Sequence, residues 1–484
     1  MGSLGGTRPA GVTNSSVFAC SLVFSRPTMK MFRSMMFVGS FAMTFLMSLG
    51  YGEEGRPNVV VFLVDDMGWG DSGTYGNGDI RTPSMDRLAS EGVKLTQCYS
   101  AAGVCSPSRA AILTGRTPYR NGVWRHLSGV GPSHLRESEI TYPELLREVG
   151  YETCHVGKWH LLSRQQFNDP QYPHPQDHGY QYWMSTHNTA HPSHKNPNNF
   201  YRNGQAVGAT EGYSAQLVAE EAGRWLRDIR DPSKPFALSI WLHEPHSPIA
   251  THPRFEKIYE GHENRKYMGN ISQLDHALGT VLDVLDELKI CENTFFLFTS
   301  DNGPVPSYGG SSGGLRGNKR SQFEGGIRVP GIVRWPGRIE PGTVSDIPVI
   351  GTDVFPTVLE MAGVSLPDDR TIDGVNMLPA LQGNPVEREI PLFWRTHVSN
   401  PEERAAMRIG NWKIVADETL TKFQLYNISA DPREREDLAK TMPEKTEAMA
   451  VKLKSLWAEI EKEGPSEWWK NERQRPSRGG QLNY

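Results

Sequence analysis

Three short runs constrain this chain more than any other feature: "NVVVFLV" (58–64), "FALSIW" (236–241) and "TFFLFTS" (294–300). Each is mostly apolar, without the regular alternation of a half-exposed strand, and rich in β-branched or aromatic residues. Such runs form strands buried on both faces. Helical patterns lie between them, one carried by Val218, Ala222, Trp225, Leu226 and Ile229 and another by Ile271, Leu274, Leu278, Leu282 and Leu285. Alternating strands and helices predict an α/β fold with a mainly parallel central sheet, whose ligand site lies at the carboxyl ends of its strands. The runs lead into "DDMGWGD", "LHEPHSP" and "DNGP", so these polar segments are where chemistry is expected.

The chain of 484 residues is long enough for more than one domain, and 48 glycines and 34 prolines call for long connecting loops. "MKMFRSMMFVGSFAMTFLMSLG" (29–50) has a basic start, an apolar run from Met35 to Leu49 and small residues at its end. This is the pattern of a signal peptide, and the run is short for a stable membrane span. Export to the periplasm or medium is expected, with residues 1–50 an over-extended N-terminus plus signal, and a mature start near Tyr51. Residues 51–385 read as the catalytic domain. From 386 to 484 the texture changes: "NWKIVAD" and "FQLYNIS" read as antiparallel strands, and 443–463 as a helix with Val451, Leu456, Trp457 and Ile460 on its apolar face. That segment is expected to be a smaller α+β domain.

A formal charge of −4 argues against a nucleic-acid partner, which needs a basic face. Cys98, Cys105, Cys154 and Cys291 are too few for a disulfide scaffold and lack the CxxC spacing of a zinc site, although one pair could still form. Most of the 12 tryptophans are expected in the core. "VCSPSRAAILTGR" (104–116) places Cys105 just before a helix, with Ser106 as N-cap, Pro107 at the first position and Gly115 as the stop. A helix N-terminus favours an anion, so Cys105 is either a reactive thiol or something made from one.

Asp65 and Asp66, with Asp301 and Asn302, put four oxygen donors at two strand ends, a set suited to Ca²⁺ or Mg²⁺. Arg109, Lys158 and His160 of "GKWH", His246 of "PHSP" and Lys319 of "GNKR" could together bind a tetrahedral oxyanion and move protons around it. "THNTAHPSHK" (186–195) adds His187, His191 and His194, either on a substrate-side loop or on one merely exposed to solvent.

"CSPSRAAILTGR" resembles the signature of the type I, formylglycine-dependent sulfatases, and "GKWH", "PHSP", "SDNGP" and "DVFPTVLEMAGV" follow in the family's order. The likeness spans about residues 56–440; one departure is Leu162, where a glycine is common. The resemblance implies an alkaline-phosphatase-like α/β/α sandwich with a smaller C-terminal domain. It implies that a formylglycine-generating enzyme converts Cys105, and that Asp65, Asp66, Asp301, Asn302 and residue 105 bind one divalent cation, Ca²⁺ before Mg²⁺. By the same pattern Arg109 and Lys158 hold the aldehyde hydrate, His246 and Lys319 contact the sulfate near the leaving oxygen, and His160 assists release from the sulfated intermediate. The expected substrate is a sulfated carbohydrate or aryl sulfate. The alternatives are a phosphodiesterase or phosphonate monoester hydrolase of the same superfamily and a catalytically silent glycan-binding protein.

Overall fold

The computed structural model describes residues 55–127, 134–167 and 169–463; the expected leader and the start near Tyr51 lie outside them. The main sheet contains β1 (Asn58–Asp65), β2 (Val93–Tyr99), β3 (Glu152–Lys158), β4 (Tyr182–Thr186), β5 (Tyr201–Arg202) and β6 (Gln205–Ala206). It continues with β7 (Phe236–Pro245), β8 (Thr294–Ser300), β9 (Arg328–Arg334), β10 (Thr343–Ser345) and β11 (Val349–Ile350). Its spatial order is β10-β2-β9-β8-β1-β7-β3-β4-β5-β6, with β11 also pairing with β2. The centre, from β8 to β4, is parallel. Antiparallel β9 interrupts the parallel pairing on one side, and β5 and β6 form an antiparallel edge on the other.

β1 shows why an unbroken apolar run was needed. Val59, Val61 and Leu63 enter one core, and Val60, Phe62 and Val64 enter the other. The first core is closed by the Cys105–Thr114 and Val354–Ala362 helices, the second by the Ser214–Arg224 and Arg265–Glu287 helices. In the second core Phe62 stacks between Phe296 and Phe298, with centroids 6.1 and 5.8 Å away. The expected α/β/α sandwich is the observed architecture. Ile229 departs from its expected place. The Ser214–Arg224 helix ends in a π turn over Trp225–Ile229, whose wider pitch rotates Ile229 out of the apolar stripe and leaves it 39% exposed.

A second, antiparallel sheet orders β12 (Leu392–Arg395), β13 (Ala405–Ile409), β14 (Trp412–Ala416) and β15 (Phe423–Asn427) in sequence. The Pro443–Glu463 helix covers one face with Met449, Ala450, Leu453, Leu456 and Ile460. Val451 is not on that stripe. One residue beyond Ala450, it is turned about 100° around the axis and faces solvent at 55% exposure. The other face packs Trp394 and Val415 against Tyr99 and Ala111 of the main sheet side. Buried Lys413 bridges Glu324 and Glu434 at 2.8 and 2.9 Å across the same junction. The six largest buried tryptophans, Trp124, Trp159, Trp183, Trp225, Trp241 and Trp394, are core residues as expected. All four cysteines of the described residues are free thiols, so the pair left open by the sequence does not form.

Candidate active site

The site is built at the carboxyl ends of β1, β3, β7 and β8. Parallel pairing of β1 with β8 sets Val64 opposite Ser300, so the next residues of both strands converge. Asp66 turns the chain with a left-handed φ of 70° and donates its N–H to Asp301 Oδ1 at 3.3 Å. Such a backbone costs energy for a non-glycine residue and marks a position the surroundings enforce. Asn302 Nδ2 donates to Asp66 Oδ1 at 2.7 Å, whereas buried Asn302 Oδ1 has no hydrogen-bond partner among the described residues. Asp65, Asp66, Asp301 and Asn302 are all buried.

The helix carrying Cys105 begins two residues earlier than the sequence predicts. Val104, with extended φ and ψ of −151° and 154°, is its N-cap, and Cys105 is the first helical residue. Ser106 is not the cap because its hydroxyl accepts the Leu127 N–H at 3.0 Å. Gly115 ends the helix as expected, at φ 68°. Cys105 Sγ lies 3.3 Å from Asp65 Oδ1 and 4.0 Å from Asp66 Oδ1. Burial, then the neighbouring Asp301 and Asp65 carboxylates, push its thiol pKa up. The helix N-terminus does not make a free thiolate here.

Cations close the ring. One turn along the helix, Arg109 donates to Asp301 Oδ2 from Nε at 2.9 Å and Nη2 at 2.7 Å, and to the Lys158 carbonyl at 2.9 Å. Lys158, at the end of β3, reaches Asp65 Oδ2 at 2.6 Å. Lys319 Nζ is 2.6 Å from Asp66 Oδ1 and 3.6 Å from Cys105 Sγ. Three carboxylates are thus met by three fixed positive charges. Burial raises the Asp65 pKa, yet Lys158, His246, Arg109 and Lys319 outweigh it and hold Asp65 well below the carboxylate range. Asp301 is pushed up by burial and by Asp65 beside it, the response of crowded like charges.

β3 can carry Lys158 so close to the site because of Gly157. At φ 105°, a Cβ there would fall 1.9 Å from the Trp241 carbonyl of adjacent β7. No local pattern accounts for this glycine; the strand contact does.

The histidines take distinct positions. His246 Nδ1 donates to the Ser247 carbonyl at 2.5 Å, leaving Nε2 facing Asp66 Oδ2 at 3.6 Å. Burial lowers its pKa, partly opposed by Asp66. His160 has a left-handed φ of 56°, and its Nε2 donates to the Leu127 carbonyl at 3.0 Å. Its buried Nδ1 has no partner among the described residues, and burial and Lys158 lower its pKa well below the usual value. The ring is therefore neutral, with Nδ1 a proton acceptor. The "THNTAHPSHK" segment is not simply a solvent-exposed loop: His191 is exposed, His187 is half-buried against the His160 ring and His194 is buried beside His243. Buried His243, held by Thr186 Oγ1 at 2.7 Å, was missed in the sequence. Its only signal was a polar residue near the end of an apolar strand.

Ligand atoms of Asp65, Asp66, Cys105 and His246 lie within 4.8 Å of one another. Asp301 is outside that group, with its oxygens turned to Arg109 and the Asp66 amide. The crowded carboxylates and the unpartnered Asn302 Oδ1 together suit a hard divalent cation, which would neutralise the repulsion and engage the orphan oxygen. The residues present fit such an ion.

The sulfatase family profile matches residues 57–364, most of the main-sheet unit. The chain belongs to the sulfatase family. An overlapping profile, the C-terminal part of N-sulphoglucosamine sulphohydrolase, matches residues 316–463 of this sulfatase. N-acetylgalactosamine-6-sulfatase of Canis lupus familiaris is 38% identical over 380 residues, covering 72% of this chain and 71% of that one. Steryl-sulfatase of Rattus norvegicus is 34% identical over 415 residues, covering 68% and 70%. Among solved structures, Ps i-CgsB in complex with k-i-k-neocarrahexaose aligns with a TM-score of 0.75 and 27% identity, covering 87% of this chain and 94% of that one. This sulfatase is a sulfuric ester hydrolase.

Proposed function

We propose that this sulfatase hydrolyses sulfate esters of a carbohydrate through residue 105, converted from cysteine to formylglycine by a formylglycine-generating enzyme. The observation that carries the reading is the position of Cys105 Sγ, between Asp65 at 3.3 Å and Lys319 at 3.6 Å on a helix N-terminus. The hydrated aldehyde supplies one hydroxyl to take the sulfuryl group and a second whose deprotonation expels sulfate by C–O cleavage. A thiol that burial keeps protonated offers neither. The name of the N-acetylgalactosamine-6-sulfatase relative and the carbohydrate in the aligned complex support a sulfated sugar as substrate.

Asp65, Asp66, Asp301 and Asn302, with residue 105, would hold one Ca²⁺, with Mg²⁺ the second choice; bound there it supplies positive charge to a sulfuryl oxygen. Arg109 and Lys158 orient residue 105 and hold its charge in a water-poor setting. Lys319 and His246 flank the open side, where the sulfate and leaving oxygen are placed. Neutral His160, with Nδ1 free to accept, takes the proton whose loss releases sulfate. We also infer export from the leader pattern; among the described residues no helix is long and apolar enough to cross a membrane.

Matched aryl sulfate and aryl phosphate esters test the reaction class. Sulfate is expected to be turned over with the higher kcat/KM, and a preference for phosphate would reject the assignment in favour of the phosphohydrolase alternative. Proton transfer is read by leaving groups. His246→Ala is expected to slow esters of sugar alcohols by about 10²-fold or more, and nitrophenyl sulfate far less, because nitrophenolate needs little protonation. His160→Ala should instead slow both through the release step. An equal loss across leaving groups for His246→Ala would reduce that residue to a binding role.

A further inference from the structure

We propose that the cleft outside Lys319 is a two-ring saccharide trough, with Tyr308 as the platform for the sulfated sugar and the β12–β13 segment contacting the next ring. This rests on the carbohydrate reading above.

The inner hollow, about 260 Å³, is walled by Asp66, His246 and Lys319 on the reacting side, and by Ser307, Tyr308 and Asn318 at its mouth. That volume is at the small end for ligand sites and suits one pyranose ring. Asn318, Lys319 and Arg320 also line a second hollow of about 430 Å³, which reaches Val398, Asn400 and Glu403 between β12 and β13. The two hollows, on a shared wall, lie one beside the sulfate site and the other against the small sheet domain.

Tyr308 is the aromatic among the few large apolar side chains left open in the described residues, at 44% exposure. A sugar ring offers an apolar C–H face to an aromatic plane and hydroxyls to the polar groups around it. Phe323, in the outer hollow, cannot do the same: it is buried, and the Arg316 guanidinium covers its ring at 3.6 Å.

The platform is also held in place. Tyr308 closes a short turn through its N–H to the Val305 carbonyl at 3.1 Å, and Gly309 follows at φ 107° against Tyr267. Buried Asp71 accepts from Tyr267 Oη and from the Ser311 N–H, each at 2.7 Å. Asp71 lies in the loop that carries Asp66, so platform and sulfate site share one support. A preformed surface loses little freedom on binding.

Steady-state kinetics on a sulfated monosaccharide, and on a disaccharide ending in the same sulfated sugar, test this, with inorganic sulfate as a competitive inhibitor. The wild-type enzyme is expected to prefer the disaccharide by about tenfold in kcat/KM, and Tyr308→Ala to raise KM for both sugars by about tenfold. Tyr308→Trp should restore KM, and the Ki of inorganic sulfate should not follow the Tyr308→Ala change. Val398→Trp, which fills the outer hollow, should erase the disaccharide preference. If sugars are desulfated but Tyr308→Ala leaves KM unaltered, or mono- and disaccharide react equally, the trough is wrong while the carbohydrate reading stands. If only aryl sulfates react, the carbohydrate reading falls and the trough with it.

Discussion

Cys105→Ala is expected to remove turnover of every sulfate ester, a loss of at least about 10⁴-fold, because it takes away the group that accepts the sulfuryl group. The three carboxylates are committed to Lys158, Arg109 and Lys319. The fold should survive, since Cys105 makes only weak sulfur contacts, and a small residue at the first helical position keeps the Val104 cap. Cys105→Ser separates two explanations of inactivity. A serine can be sulfated but lacks the second hydroxyl, so the enzyme should stall as a trapped ester visible by peptide mass spectrometry. Protein made in a host without converting activity should be folded and largely inactive. A fully active preparation whose residue 105 is entirely unmodified cysteine would overturn the mechanism.

Removing the divalent cation is the second large effect. Exhaustive chelation should abolish activity, and Ca²⁺ should restore it better than Mg²⁺. A readout independent of turnover follows from the electrostatics. Asp65, Asp66 and Asp301 repel one another in one buried pocket, so a bound cation should stabilise the fold, by about 2.7 kcal/mol at one hundred times its Kd. Thermal unfolding with and without Ca²⁺ measures this directly, and an unchanged Tm together with full activity after chelation would rule the ion out. Asp301→Ala is a poor probe because it strips buried Arg109 of two hydrogen bonds and leaves a charge unpaired, at about 3–5 kcal/mol. Asp301→Asn keeps the volume and an acceptor for Arg109 while removing an anionic donor. It should lose about 10³-fold in kcat/KM, several kcal/mol of transition-state stabilisation, and most of the Ca²⁺-dependent rise in Tm.

The sequence alone determined the elements and the chemistry they carry. "NVVVFLV" and "TFFLFTS" read as doubly buried strands because short runs dense in β-branched or aromatic residues pack best inside a sheet, which places the polar residues after them at strand ends. The Gly115 stop and the Pro443–Glu463 helix followed from local conformational preference and spacing. Tertiary structure decided which ends meet. Asp66 and Asp301 are 235 residues apart, and only the placement of β1 between β7 and β8 makes them neighbours. It also decided the finer registers. A π turn exposes Ile229, the Ser106 hydroxyl is drawn to Leu127 instead of capping its helix, and His194 is pulled from a polar loop into a buried cluster. Local pattern fixes a segment's periodicity within a few residues. Strand order, a hydroxyl's partner and the burial of a loop depend on surfaces that exist only once distant segments have packed, so those features could not be read from the chain.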